Sequence, residues 1–311
     1  MNENADPRIL ILSASTARTH AESAGVQIYS ASLRARGSQT ITPIVTNKPI
    51  LLIMHHDELS SPPPTMDYWS DARTPLSSLM FLIPWIVVYE FGVIVMGQDQ
   101  PDVVRNGADF WMRSALSHLG FSNGLLLPVI VITMLLASHV IRKHRWEICF
   151  QTQLGMLAES VLLAIGLVAV GQCHDIVFRD IAVGEIASTA ILNTIGPVTR
   201  AVTFIGAGVY EEVMFRLLLI PAAFMAFRMF EFPAKWAAVM AAVCTSFLFA
   251  IAHHIGPSSE ALNLFAFSFR AAAGLFFATV FLLRGFGITV GCHAAYDLLV
   301  GVLLAAPPAG D

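Results

Sequence analysis

Charge is what this 311-residue sequence has least of: only 13% of its residues are Asp, Glu, Lys or Arg, against about 25% in a soluble globular domain. So few charges cannot cover a water-exposed surface of ordinary size, and the 56% apolar content makes lipid the solvent. A basic excess is missing too. With 18 Lys plus Arg against 22 Asp plus Glu, the net charge is -4, and the basic residues sit at the ends of apolar runs. That leaves no footprint for nucleic acid. The four cysteines, Cys149, Cys173, Cys244 and Cys292, show no CxxC spacing, and three fall in or against apolar runs. They read as small buried hydrophobes and exclude a disulfide frame or a cysteine zinc site. There is no His-Glu-x-x-His helix, no internal repeat, and no basic n-region followed by a long apolar h-region.

What is present falls into three parts. Residues 1–75 are rich in Ser, Thr, Arg, Asn and Pro, with Pro62-Pro63-Pro64 near the end, and read as a polar, poorly ordered N-terminal leader. Its one apolar run, Ile50 to Met54, is far too short to span a membrane. An alternative reading starts the chain at Met66, so that Asp67, Tyr68 and Trp69 make an interfacial entry into the first span with aromatics at headgroup level. The pair His55-His56 with Asp57 is a single short cluster without further ligands and reads as solvated loop.

Residues 76–198 hold N-terminal membrane helices, and residues 199–306 a core that carries the chemistry. Spans are expected at 76–96, 121–141, 154–171, 199–227, 234–255, 262–283 and 287–306. The fold class is therefore all-α, a polytopic transmembrane helical bundle of about seven spans, or eight if the 173–198 region hides a re-entrant or interfacial helix. Arg142-Lys143-His144-Arg145 is the densest basic cluster and marks the cytoplasmic side. The polar residues His174, Asp175, Arg179, Asp180 and Glu185 are expected in an outer loop.

Ionisable side chains at membrane depth carry an insertion penalty of about 2.5 to 3.5 kcal/mol each and tend to be functional. Here they concentrate as Glu211, Glu212 and Arg216 in the fourth span, His253 and His254 in the fifth, and His293 and Asp297 in the seventh. Residues four apart share a helix face whereas neighbours diverge by about 100°. Glu212 and Arg216 are thus expected to pair, leaving Glu211 free to point elsewhere. A carboxylate in an apolar site with no cation beside it holds its proton more tightly than in water, which suits a general base near neutral pH. Phe249 lies one turn before His253 and can wall the same face. Asp297 is expected to accept from His293 and set its tautomer. A carboxylate and two imidazoles on three helices can activate a water and stabilise an oxyanion, the minimum for amide hydrolysis.

The order Glu211-Glu212-x-x-x-Arg216, Phe249-x-x-x-His253, His293-x-x-x-Asp297 on separate apolar helices resembles the CPBP family over roughly residues 199 to 300. That family comprises the type II CAAX prenyl endopeptidases and the bacteriocin-processing and abortive-infection membrane proteins. The resemblance implies an intramembrane endopeptidase with Glu211, His253, His293 and Asp297 as catalytic residues and Glu212, Arg216 and Phe249 in support. The family often has Asn at the last position, where this chain has Asp297.

Blander readings stand beside these. Glu212 and Arg216 are explained as a structural ion pair; Glu211 is not. His254 faces away from Phe249 and reads as a hydrated histidine, and Cys292, adjacent to His293, faces another way and reads as packing. Glu90, in the first span, is a buried charge with no partner evident along the chain. Glu211, His253 and His293 are also the residue types of a one-carboxylate, two-imidazole zinc site. The expectation is no cofactor, with zinc as the alternative and chelation as the discriminator. Expected partners are a peptide or membrane-protein substrate, lipidated or not, and the bilayer. The expected location is a bacterial inner (plasma) membrane, although an endoplasmic reticulum membrane fits the basic connection equally. Two other function classes share these residues: a proton- or ion-coupled transporter, against which the missing repeats speak, and a non-catalytic scaffold or immunity protein.

Overall fold

The computed structural model describes residues 67–98, 101–178, 196–255 and 262–305. The leader up to residue 66, and the region beyond Phe178 where an eighth helix was to be sought, lie outside the described residues.

Among the described residues the chain is helical, with no strand. One turn, α1 (Tyr68–Asp71), is capped by the Asp67 carboxylate accepting from the Trp69 backbone N–H. Then α2 (Pro75–Gly97) starts on Thr74, whose hydroxyl oxygen accepts from the Ser77 N–H at 3.2 Å, with Pro75 in the first turn where its missing N–H costs nothing. After a 3₁₀ turn at Pro101–Val103 come α3 (Gly107–His118), α4 (Leu126–Ile141), α5 (Phe150–Phe178), α6 (Pro197–Glu212), α7 (Ile220–Met229), α8 (Ala234–Ala252), α9 (Leu264–Arg284) and α10 (Phe286–Leu298). Among the described residues five helices are long and apolar enough to cross a membrane: α2, α5, α8, α9, and α10 with its continuation to Leu303. Their outer surfaces expose large apolar side chains, Phe91, Ile94, Leu162 and Leu283 among them, which water would disfavour and lipid accepts. This is a multi-pass integral membrane protein.

Between α6 and α7 the chain does not break but widens into a π-helical stretch, Val213–Leu219. Pro221 has no N–H to give the Leu217 carbonyl, so regular α-helical bonding cannot close there. Such widened turns recur at functional sites, and this one follows Glu211-Glu212 directly. A second occurs after α10, at Leu299–Leu303.

Two local expectations change. His174 and Asp175 stand in the last turns of α5, not in a loop, because the helix continues to Phe178. The His174 ring makes a 2.8 Å hydrogen bond between Nε2 and Ser268 Oγ and stacks on Phe178, which anchors the last turns of α5 against α9. Glu90 does have partners: Arg113 of α3 donates to it at 2.7 Å, and the Tyr210 hydroxyl of α6 donates to it as well. Arg113 also donates to Asp109, which accepts from Arg105 and from the Tyr89 hydroxyl. The short amphipathic helix α3 is thereby tied to α2 and α6 through a buried charge network.

Pairing contacts fix which helix ends lie together. At one end Gln153 donates to the Ser77 carbonyl, and Arg284 pairs with Glu159. At the other, Thr203 donates to the Val104 carbonyl and His174 meets Ser268. Deep contact between α6 and α10 depends on Gly208: a Cβ built there would stand 2.7 Å from the backbone nitrogen of Ala294. Small residues let membrane helices approach closely in this way. The approach brings the fourth-span glutamates against the seventh-span histidine.

Candidate active site

Glu211, His253 and His293 are brought together from α6, the end of α8 and α10. Glu211 Oε2 is buried and makes no hydrogen bond, and it lies 3.8 Å from His253 Nε2 and 3.9 Å from His293 Nε2. Both imidazoles turn the same nitrogen toward one carboxylate oxygen.

Each ring is set from behind. His253 Nδ1 is 2.8 Å from the Phe249 carbonyl, which can only accept, so the proton is on Nδ1 and Nε2 offers its lone pair when the ring is neutral. The i,i+4 spacing does this locally: the last turn of α8 leaves the Phe249 carbonyl open to its own side chain neighbour. Ring contact between Phe249 and His253, with centroids 4.8 Å apart, holds the imidazole against that face.

His293 is set by a residue other than the one expected. Its Nδ1 is 2.7 Å from Glu212 Oε1, while Asp297 Oδ2 lies 3.5 Å from Nε2. Intrahelical spacing favours Asp297, yet the close approach at Gly208 puts Glu212 nearer, and the shorter contact takes the Nδ1 proton. The ring also lies flat on Phe277, centroids 4.4 Å apart and planes 19° from parallel.

Glu212 is fully buried and has a second partner. Arg216 Nε lies 3.1 Å from its Oε2, and the guanidinium donates to the Gly274 carbonyl at 3.1 Å. Three aromatic rings surround Arg216, those of Phe249, Phe277 and Phe215, at 4.7, 5.4 and 5.8 Å. A buried cation so enclosed is stabilised by its carboxylate and by the ring faces. Glu212 therefore links Arg216 to His293, and the two adjacent glutamates sit in different settings.

Arg270 of α9 escaped the sequence reading. It is close enough to act electrostatically on Glu211, His253 and Asp297. The signal was there, a cation inside the apolar sixth run. Phe277 also escaped, because one phenylalanine among many on α9 carries no mark of its own. His254 has its ring 6.0 Å from that of Phe267, and Cys292 packs among Ala164, Leu167 and Phe277.

The site is reached through a cavity of about 220 Å³ that runs from Glu211 and His253 to the 102–111 segment, with Phe110, Trp111 and Met214 among its walls. Side chains of Glu211 and His253 keep 13% and 21% exposure, so the cluster is enclosed but not sealed. Two ligands of one tetrahedral zinc stand about 3.4 Å apart; the contacts of His253 and His293 to Glu211 Oε2 are 3.8 and 3.9 Å, and among the described residues no group of three or more His, Cys, Asp or Glu is gathered at metal-binding spacing.

No curated protein and no solved structure matches the chain. Residues 193–299, which hold all three motifs, match the family described as Type II CAAX prenyl endopeptidase Rce1-like, and that segment is what the chain shares with it.

Proposed function

We propose that this protein is an intramembrane endopeptidase in which Glu211 activates a water for attack on a peptide bond. The observation that carries the proposal is the convergence of His253 Nε2 and His293 Nε2 on the unbonded Glu211 Oε2, at 3.8 and 3.9 Å. Gaps of that size between polar atoms suit a bridging water. Glu211 takes the proton of that water as its oxygen attacks the carbonyl carbon. His293, whose two nitrogens face Glu212 and Asp297, is placed to donate to the oxyanion. Glu211 then returns the proton to the leaving amine. Asp297 and Arg270 tune the charge around the site; Arg216, Phe249 and Phe277 hold its parts in place.

This reading gives the proton transfers to Glu211 without a metal, and zinc held by Glu211, His253 and His293 is its alternative. Among the described residues we assign seven spans: the five helices of spanning length, α4, and the continuous α6–α7 segment from Pro197 to Met229. The assigned membrane is the bacterial inner membrane, and the substrate is a peptide or a membrane-protein segment.

Comparing Glu211→Gln with Glu212→Gln, each purified in detergent and assayed for peptide cleavage, tests the proposal. Glu211→Gln is expected to lose on the order of 10² to 10⁴ in kcat while keeping the wild-type melting temperature. Glu212→Gln is expected to lose both activity and stability, since it weakens two buried contacts. Full turnover by Glu211→Gln would remove it as the base. A folded wild type that cuts no peptide would favour the scaffold reading, and proton uptake into proteoliposomes the transporter.

A further inference from the structure

The two ring nitrogens of His293 meet carboxylates at unequal distances. Nδ1 lies 2.7 Å from Glu212 Oε1, a hydrogen bond, whereas Nε2 lies 3.5 Å from Asp297 Oδ2, beyond the usual range of one. Asp297 follows His293 by one turn on the same face of α10, so its side chain can reach the ring. A bond from Nε2 to Asp297 would occupy the N–H that an oxyanion needs. Holding the carboxylate back takes a charge from another helix.

Helix α9 brings a cation to that level. Gly285, at φ 91°, turns the chain between α9 and α10, and the two helices run back along each other. Phe277 lies flat on the His293 ring, and the rings of Phe269 and Tyr296 are 6.2 Å apart, which fixes the register. Arg270 precedes Phe277 by about two helical turns and so shares its face toward α10. Stepping back along α9 from Phe277 to Arg270 matches stepping along α10 from His293 to Asp297. Arg270 accordingly acts electrostatically on Asp297 and Tyr296 of α10, and on Glu211 and His253 across the site. Arg216, another buried cation of the site, is committed to Glu212 and the Gly274 carbonyl.

We infer that Arg270 is a positioning residue that holds the Asp297 carboxylate off His293 Nε2 and so leaves that N–H for the oxyanion of the substrate. The inference rests on the peptidase reading of the site; the pairing of Arg270 with Asp297 stands apart from it. Glu211, Glu212 and Asp297 surround one imidazole, and an oxyanion formed beside Nε2 adds a further negative charge. Arg216 offsets Glu212, and Arg270 offsets Asp297 where that charge develops. An amide at position 297 would be neutral and would carry a donor of its own. A carboxylate there has neither property, and the cation on α9 answers both.

The test is a double-mutant cycle on the full-length protein in detergent, Arg270→Gln against Asp297→Asn, read by peptide turnover and by melting temperature. Arg270→Gln alone is expected to lower kcat about 10²-fold, the cost of misplacing a catalytic group by about 1 Å, with KM little changed. In the Asp297→Asn background the same change is expected to alter kcat by about twofold or less, because no carboxylate remains to be held. Arg270→Lys keeps the charge and should retain most of the wild-type kcat. Wild-type kcat in Arg270→Gln overturns the inference. So does a loss as large in the Asp297→Asn background as in the wild type, which is what a merely structural Arg270 predicts. The melting-temperature cycle needs no substrate: single losses that sum to more than the loss of the double variant show the pair to be coupled, and additive losses overturn the pairing. If Arg270→Gln does not fold, recovery of yield on adding Asp297→Asn supports the pairing, and no recovery overturns it. If the melting cycle is coupled and the wild type cuts no peptide, the peptidase reading falls and the pairing of Arg270 with Asp297 remains.

Discussion

Replacing Gly208 by alanine adds a single methyl group where the structure has no room for one. The new Cβ would stand 2.7 Å from both the nitrogen and the Cβ of Ala294 and 2.9 Å from its Cα, whereas apolar atoms rest at about 3.5 to 4.0 Å. Two of those neighbours are backbone, so α6 and α10 must part by about 0.8 Å to restore ordinary contact. Glu212 Oε1 and His293 Nδ1, one turn away on the same two helices, now lie 2.7 Å apart. The same displacement carries them to about 3.5 Å, past the useful range of a hydrogen bond. Losing a charge-assisted bond of this kind weakens the native state by about 1.5 to 3 kcal/mol. Misplacing a catalytic group by about 1 Å costs on the order of 10²-fold in rate. The expected outcome is a fall of about 10² in kcat/KM together with a lower melting temperature. Gly166→Ala on α5 is the control: nothing lies within 4 Å of its added Cβ, and an alanine in a helix interior is favoured by about 0.5 to 1 kcal/mol over glycine. Its activity should match wild type. A folded Gly208→Ala protein with wild-type kcat/KM would refute the claim that the α6–α10 approach sets the site.

Arg216→Ala removes the cation from a fully buried carboxylate and is expected to destabilise by about 3 to 5 kcal/mol, read as a loss of yield or a large drop in melting temperature in detergent; Arg216→Lys should recover part of the stability but not the planar contact with three rings. Phe277→Ala removes the ring on which His293 lies and one wall around Arg216, and should cost about 3 to 5 kcal/mol in stability as well as activity; an unchanged pH–rate profile would show that the ring does not position the imidazole. Chelation should leave turnover of the purified protein unchanged, and inactivation reversed by Zn²⁺ would restore the metal reading of Glu211, His253 and His293. Tyr210→Phe takes one donor from Glu90 but leaves Arg113 in place, so a loss of about 1 kcal/mol is expected, with kcat moving little and KM more as α3 loosens.

Much of the outline was legible along the chain because lipid imposes a simple demand. Every backbone polar group must be satisfied within its own segment, so an apolar run of sufficient length is a helix, and the runs read from the sequence correspond to α2, α4, α5, α6–α7, α8, α9 and α10. Charges left inside such runs stand out against their neighbours, which is how Glu211, Glu212, Arg216, His253, His293 and Asp297 were found. Their order on three helices also carried the resemblance, and residues 193–299 match the Rce1-like family.

What the chain could not disclose are relations between helices. Spacing along α10 pairs His293 with Asp297, and only the packing of α6 on α10 at Gly208 puts Glu212 on the imidazole instead. Glu90 looked unpartnered because Arg113 and Tyr210 lie far from it in sequence and meet it only when α3 folds across α2 and α6. The widening at Val213–Leu219 follows from a proline whose effect depends on how the surrounding helices hold the stretch. Residue type and period along one helix are local properties, written in the sequence and enforced by the bilayer. The distance between groups on different helices is set by which small residues let backbones touch, and that was decided by the tertiary structure alone.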